Sequence, residues 1–127
     1  MTLACLYLAG ALQAMLPPGT LTVAWRHSVQ KTRWEEDYRV DATGLVPVES
    51  RIESTGAGME APPGAVLRDG LWHWQPRPLA LPELRLTLSP FTEDYALCAA
   101  GHCTALHALV HARADDIGVV VVKPCTA

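Results

Sequence analysis

Apolar and polar residues alternate in short runs along most of this chain. A turn signal interrupts them roughly every ten residues, a spacing that predicts strands joined into hairpins. Residues 83–89 are the clearest case, because Leu84, Leu86 and Leu88 alternate with Arg85, Thr87 and Ser89 as in a strand with one buried face. Residues 3–7 and 11–16, separated by Ala9 and Gly10 and ended by Pro17, Pro18 and Gly19, read as a first hairpin. Further strands are predicted at 20–29, at 34–40 (closed by Asp41, Ala42, Thr43 and Gly44), at 45–52 and at 71–74. Residues 95–98 and 103–109 form another hairpin, whose second arm can continue as a short helix. Residues 117–123 carry a valine run that suits a strand buried on both faces. The segment 54–64, STGAGMEAPPG, has no period and reads as a loop. The expected fold is therefore all-β: a small antiparallel sandwich or partly open barrel built from hairpins, with at most a short helix.

Length and composition narrow this picture. At 127 residues the chain fits one domain, 1–127, near the usual size of about 100–150 residues. A chain of that size buries about two-thirds of its unfolded surface and needs neither metal nor partner to fold. Four Trp and three Tyr against one Phe mean that the bulky packing comes from rings with a polar handle. Ten basic against 13 acidic residues leave a formal net charge of −3. No basic stripe exists to neutralise a phosphate backbone, so nucleic acid is excluded as a partner class. Nor is there a basic amphipathic segment for an anionic membrane, or an apolar run near the ~18 residues that span one. The apolar residues 1–16 lack a basic n-region and are interrupted by Gly10 and Gln13, so no export signal is read there. The compartment stays open, since a start further upstream or paired cysteines would place the chain outside the cytoplasm.

The four cysteines bear on that point. If Ala100 and Gly101 form a two-residue hairpin loop, Ala99 and His102 are the hydrogen-bonded pair beside it. Cys98 and Cys103 then face each other at the next, non-hydrogen-bonded pair, within reach of a disulfide. Cys5 and Cys125 lie in the first and last predicted strands and pair if those strands are neighbours. The competing reading is four small buried thiols, which the missing export signal favours. A zinc site from Cys98, His102 and Cys103 lacks the paired spacing of such motifs, so no metal and no cofactor are expected.

The most specific polar pattern is LTVAWRHSVQKTRWEEDYRV, residues 21–40. Leu21, Val23, Trp25, His27 and Val29 share one strand face; Trp34, Glu36, Tyr38 and Val40 share another. A turn between Lys31 and Thr32 sets Val29 opposite Trp34, His27 opposite Glu36, Trp25 opposite Tyr38 and Val23 opposite Val40. That register matches the apolar face and pairs two ionisable groups that would otherwise be costly on it. Its weak point is the turn, because Lys-Thr suits positive φ poorly.

Three readings compete for this cluster. His27 and Glu36 form a structural ion pair; or His27, Ser28, Lys31 and Glu36 line a ligand site; or Glu36 orients His27 as a base for Ser28. The last is geometrically poor, since adjacent strand residues point to opposite faces. Ser54, Gly56 and Gly58 offer backbone N–H groups that suit an anion, although no Lys-Ser/Thr or GxGxxG pattern follows them. Trp25 and Trp34 fall on the inward face, and Trp72 and Trp74 share a face around His73, where they fill a core or close a groove.

The run WRHSVQKTRWEEDYRV, followed by SRIESTGAGMEAPPGAVLRDGLW and LCAAGHCTAL, resembles the bacterial domain of unknown function 1850 family over nearly the whole chain. The family pattern falls on His27, Ser28, Val29, Lys31, Glu36, Ser54, Gly56, Ala57 and Gly58. The resemblance implies a small β-rich domain encoded beside TAXI-type tripartite ATP-independent periplasmic (TRAP) transporters, and so an accessory role in solute uptake. It brings no established activity. The function expected is a non-enzymatic accessory or binding domain for a transporter subunit, another partner protein or a small anionic solute. The alternatives are a hydrolase-like enzyme using His27 and Glu36, and a purely structural subunit.

Overall fold

Three turn signals in the sequence close hairpins where the backbone must leave the right-handed region. Ala9 and Gly10 have φ 51° and 79°, Asp69 and Gly70 52° and 79°, and Ala100 and Gly101 50° and 82°. Two consecutive positive φ values give the tight turn whose twist matches the strands it joins. A computed structural model gives the structure of the chain and describes residues 1–26, 31–53 and 61–126.

Strands β1 (Thr2–Leu8), β2 (Ala11–Leu16), β8 (Leu84–Leu88) and β11 (Gly118–Thr126) make a four-stranded sheet in the order β2-β1-β11-β8. A seven-stranded sheet has the order β10-β9-β3-β4-β5-β7-β6. Its strands are β3 (Thr20–Arg26), β4 (Arg33–Asp41), β5 (Gly44–Glu53), β6 (Val66–Arg68), β7 (Leu71–Trp74), β9 (Ala96–Ala99) and β10 (His102–Ala105). A single helical turn, α1 (Leu106–Leu109), follows β10. All pairings are antiparallel and the two sheets do not close on each other, so the fold is an all-β sandwich.

The core is the slab between the sheets. Leu6, Val120 and Val122 enter it from the four-stranded sheet, and Leu21, Val23, Leu45 and Leu97 from the other, each at most 2% exposed. β11 departs from the expectation of burial on both faces: Val120 and Val122 are fully buried, but Val119 is 41% exposed. Its second face looks outward because, among the described residues, no layer packs on that side of the four-stranded sheet. β6, a three-residue edge strand in a Pro- and Gly-rich stretch, carried no periodic signal.

Both cysteine pairs form disulfides. Cys98 faces Cys103 across the β9–β10 hairpin, beside the Ala99–His102 pair. Cys5 and Cys125 lie on the neighbouring strands β1 and β11, with Cα atoms 5.9 Å apart. The thiol and zinc readings of these cysteines are thereby set aside, and no cysteine is free.

Candidate functional site

Strand β3 ends at Arg26 opposite Arg33, so the β3–β4 connection spans residues 27–32. The register differs from the expected one by four positions along β4. Trp25 lies opposite Trp34, Leu21 opposite Tyr38, and Glu36 opposite Val23, with Ser50 on its other side. The ladder therefore does not seat His27 against Glu36. The reason is the pair of indole rings, which stack at 5.9 Å and 15° and close the hairpin where the expected register had Tyr38. Because the shift is even, every side chain keeps its expected face.

Glu36 points inward all the same. Its partner is the Tyr38 hydroxyl, which donates to Oε2 at 3.0 Å. Burial first, then the Glu36 charge and this hydrogen bond, push the Tyr38 phenol far above the ordinary tyrosine range. Burial and the same carboxylate raise Tyr95, whose ring lies 5.9 Å from Trp25. Glu36 is thus a half-buried carboxylate facing two phenols, Tyr38 and Tyr95.

Strands β3 and β5 end at Arg26 and Glu53, at the same end of the sheet. Arg26 Nη1 donates to the Lys31 carbonyl at 2.6 Å and lies 3.6 Å from Glu53, the last residue of β5. The Arg33 N–H donates to the same Glu53 carboxylate at 3.4 Å. Of the residues expected in a ligand site, Lys31 and Glu36 are described, Lys31 exposed on the rim and Glu36 inside. His27, Ser28, Ser54, Gly56 and Gly58 lie outside the described residues, as do Val29 and Ala57.

A cleft of about 360 Å³ opens here, lined by Trp25, Arg26, Thr87, Ser89, Thr92, Glu93 and Tyr95. Trp25 carried only the expectation of an inward face, and the other residues carried none. They come from β3 and from the β8–β9 region, far apart in the chain, so no local motif announces them. Two rings form its apolar body, three hydroxyls and the Arg26–Glu93 pair its polar rim. That composition suits a small molecule with one charged end. Arg26 Nε stands 3.4 Å from Glu93, and both side chains are over a third exposed.

The outer face of the seven-stranded sheet has a different character. Arg51 sits among Glu35, Asp37 and Glu49, and His73 Nδ1 lies 3.4 Å from Glu49. A wider hollow of about 670 Å³ lies beside it, with Arg68, His73 and Trp74 in its wall. Trp72 and Trp74 are half-buried opposite Ile52 and Ser50, so they close an edge rather than fill the core.

The family model described as Domain of unknown function (DUF1850) matches residues 21–106. The chain belongs to that family. No curated protein and no solved structure matches it. The stretch matched to DUF1850 runs from β3 into the first residue of α1, and so contains every residue lining the cleft, together with the Glu36–Tyr38 pair.

Proposed function

We propose that the chain is a non-enzymatic binding domain that takes a small anionic solute in the cleft between Trp25, Arg26 and Tyr95, as an accessory protein in a bacterial TRAP-type transporter system. The observation that carries this reading is the state of Arg26. Its pairs with Glu53 and Glu93 are long, at 3.6 and 3.4 Å, and solvent-exposed. Such pairs contribute about 0–1 kcal/mol, so a ligand carboxylate displaces Glu93 at little cost. The flanking rings then cover the apolar part of the solute, and the hydroxyls of Thr87, Ser89 and Thr92 take its polar groups. The hydrolase alternative has no such observation behind it: Glu36 accepts from the Tyr38 hydroxyl, and His27 and Ser28 lie outside the described residues. Two disulfides suit an oxidising, extracytoplasmic setting, where a solute-uptake partner would work.

The test is calorimetric titration of the chain with a series of short carboxylic acids. Binding that is lost in Arg26→Ala supports the reading. Acids that bind this variant as well as the parent, or no binding by any acid, would overturn it.

A second reading has its own observation. On the outer face of the four-stranded sheet Leu12, Met15 and Val119 are 51%, 56% and 41% exposed around Tyr7, a patch of the kind that docks a partner protein. Under it, Met15→Lys abolishes co-purification of a transporter subunit and Arg26→Ala does not.

A further inference from the structure

The cleft does not end at Ser89 and Thr92. Both residues also line a second hollow of about 480 Å³, whose wall is formed by Ala105, Ala108, Ala112 and Ala114. Alanine side chains stop at Cβ, so they leave space and contribute no polar atom. The polar groups of this hollow come instead from Asp94 and His107 at one side, and from the two shared hydroxyl residues at the other.

Asp94 fixes His107 at two points. Its Oδ2 accepts the His107 backbone N–H at 2.9 Å. Its Oδ1 lies 2.9 Å from Nδ1, facing that nitrogen though outside hydrogen-bond geometry. A carboxylate at Nδ1 holds the proton on that nitrogen and leaves Nε2 as the acceptor. Nε2 is buried and has no hydrogen-bond partner among the described residues. Native proteins rarely leave a buried acceptor without a donor, and an unpaired one calls for an explanation. The ring itself lines the hollow, with 15% of the side chain exposed. Ser89 Oγ accepts the Phe91 N–H at 3.1 Å, which leaves its own proton to donate toward either hollow.

We propose that the alanine-walled hollow is a hydroxyl-binding subsite: His107 Nε2 accepts from a hydroxyl of the solute, with Asp94 as the positioning residue that sets the imidazole tautomer. The substrate class this defines is a small hydroxylated carboxylic acid, with its carboxylate at Arg26 and its hydroxyl reaching past Ser89 and Thr92. The carboxylate half of that assignment rests on the solute-binding reading above, whereas the hydroxyl half does not.

The experiment uses the full chain with labelled alanine methyls and labelled histidine, titrated with hexanoate, 6-hydroxyhexanoate and glycerol. The Ala108 and Ala112 methyls report filling of the hollow, and the His107 nitrogens report the tautomer. The expected result is a proton on Nδ1 in the free protein, methyl shifts with 6-hydroxyhexanoate and glycerol, and about tenfold tighter binding of 6-hydroxyhexanoate than of hexanoate. His107→Phe should bring the hydroxy acid down to the level of hexanoate.

Equal affinity for the two acids overturns the subsite while leaving the Arg26 reading intact. Glycerol shifts without binding of either acid support the subsite and overturn the Arg26 reading. Methyls unmoved by all three molecules, or a proton on Nε2, overturn the subsite. If His107→Phe does not fold, the acid comparison and the tautomer in the unaltered chain decide by themselves.

Discussion

Arg51 grips Asp37 through two guanidinium nitrogens, Nη1 to Oδ2 at 2.8 Å and Nη2 to Oδ1 at 2.7 Å, across neighbouring strands of the seven-stranded sheet. The same side chain donates from Nε to Glu35 at 2.7 Å and from Nη1 to Glu49. One planar cation thus serves three carboxylates, a geometry that only arginine provides. Removing it leaves three acids crowded on one half-buried face. Arg51→Met is expected to cost about 3 kcal/mol, and Arg51→Lys less, since lysine keeps the charge but loses the fork. Urea unfolding measures both; a midpoint for Arg51→Met equal to that of the parent would show the network to be idle.

The same network sets an acid limit on stability. Burial raises the Glu35 and Asp37 carboxyls, but hydrogen bonds from Arg33 and Arg51 to Glu35, and from Arg51 and Thr22 to Asp37, outweigh it and hold both below their usual values. With folded values depressed, the unfolded chain binds more protons in acid. The stabilisation is complete above the ordinary carboxylate range near pH 4 and is lost as pH falls through the lowered folded values. Unfolding free energy measured at successive pH values should fall across this window in the parent and fall less steeply in Arg51→Met. Parallel curves for the two chains contradict the assignment.

Much of this architecture was legible because it depends on local rules. The small-residue pairs ending in glycine at 9–10 and 100–101 marked their hairpins, and from the second followed the pairing of Cys98 with Cys103. Alternation placed Trp25, Trp34 and Glu36 on the inner face correctly. It was blind to the register itself, because sliding β4 by an even number of residues moves no side chain to the other face. The turn was placed at Lys31 and Thr32, whereas the Trp25–Trp34 stack sets the pairing four positions away. Sites assembled from distant strands left no trace of this kind. Arg51 meets Asp37 across 14 residues and Asp94 meets His107 across 13, and neither spacing has a period to detect.

The two disulfides should differ in what they contribute. Cys5–Cys125 closes a loop of sequence separation 120 and ties the strand after the N-terminus to the strand before the C-terminus; Cys98–Cys103 closes one of separation 5. Loop entropy assigns about 5 kcal/mol to the first and about 2 kcal/mol to the second. Paired alanine replacements compared by denaturant unfolding should rank in that order. The reverse ranking would mean that the hairpin bridge, not the terminal one, restrains the unfolded chain.

Gly44 answers to a backbone constraint. It opens β5 with φ +144°, and a Cβ built on it would lie 2.2 Å from the Leu81 carbonyl oxygen. That oxygen accepts the Leu45 N–H at 2.8 Å, and Leu81 donates back to Leu45 at 2.9 Å, so it cannot withdraw without breaking the bridge that pins the β7–β8 crossover. Gly44→Ala should destabilise by about 2–3 kcal/mol. Gly10→Ala, with open space around its Cβ, should cost less. Equal losses for the two would remove the close approach as the cause.

Glu36 and Tyr38 provide the most direct probe of the interior beside the cleft. Burial is the first cause of the raised Tyr38 phenol, and the Glu36 charge and its accepted hydrogen bond come next; for Tyr95 the causes are burial and the same charge. Folded values above the unfolded value near 10 mean that this stabilisation is full below pH 10 and is lost as pH rises toward the folded values. Glu36→Gln keeps an oxygen for the Tyr38 hydroxyl but deletes the charge. It should bring both phenols down toward the ordinary range while burial holds them partly above it. Tyrosinate absorbance followed against pH in the parent, Glu36→Gln and Tyr38→Phe separates the contributions. An alkaline transition that Glu36→Gln leaves unmoved would mean that burial alone raises the phenols and that Glu36 faces elsewhere.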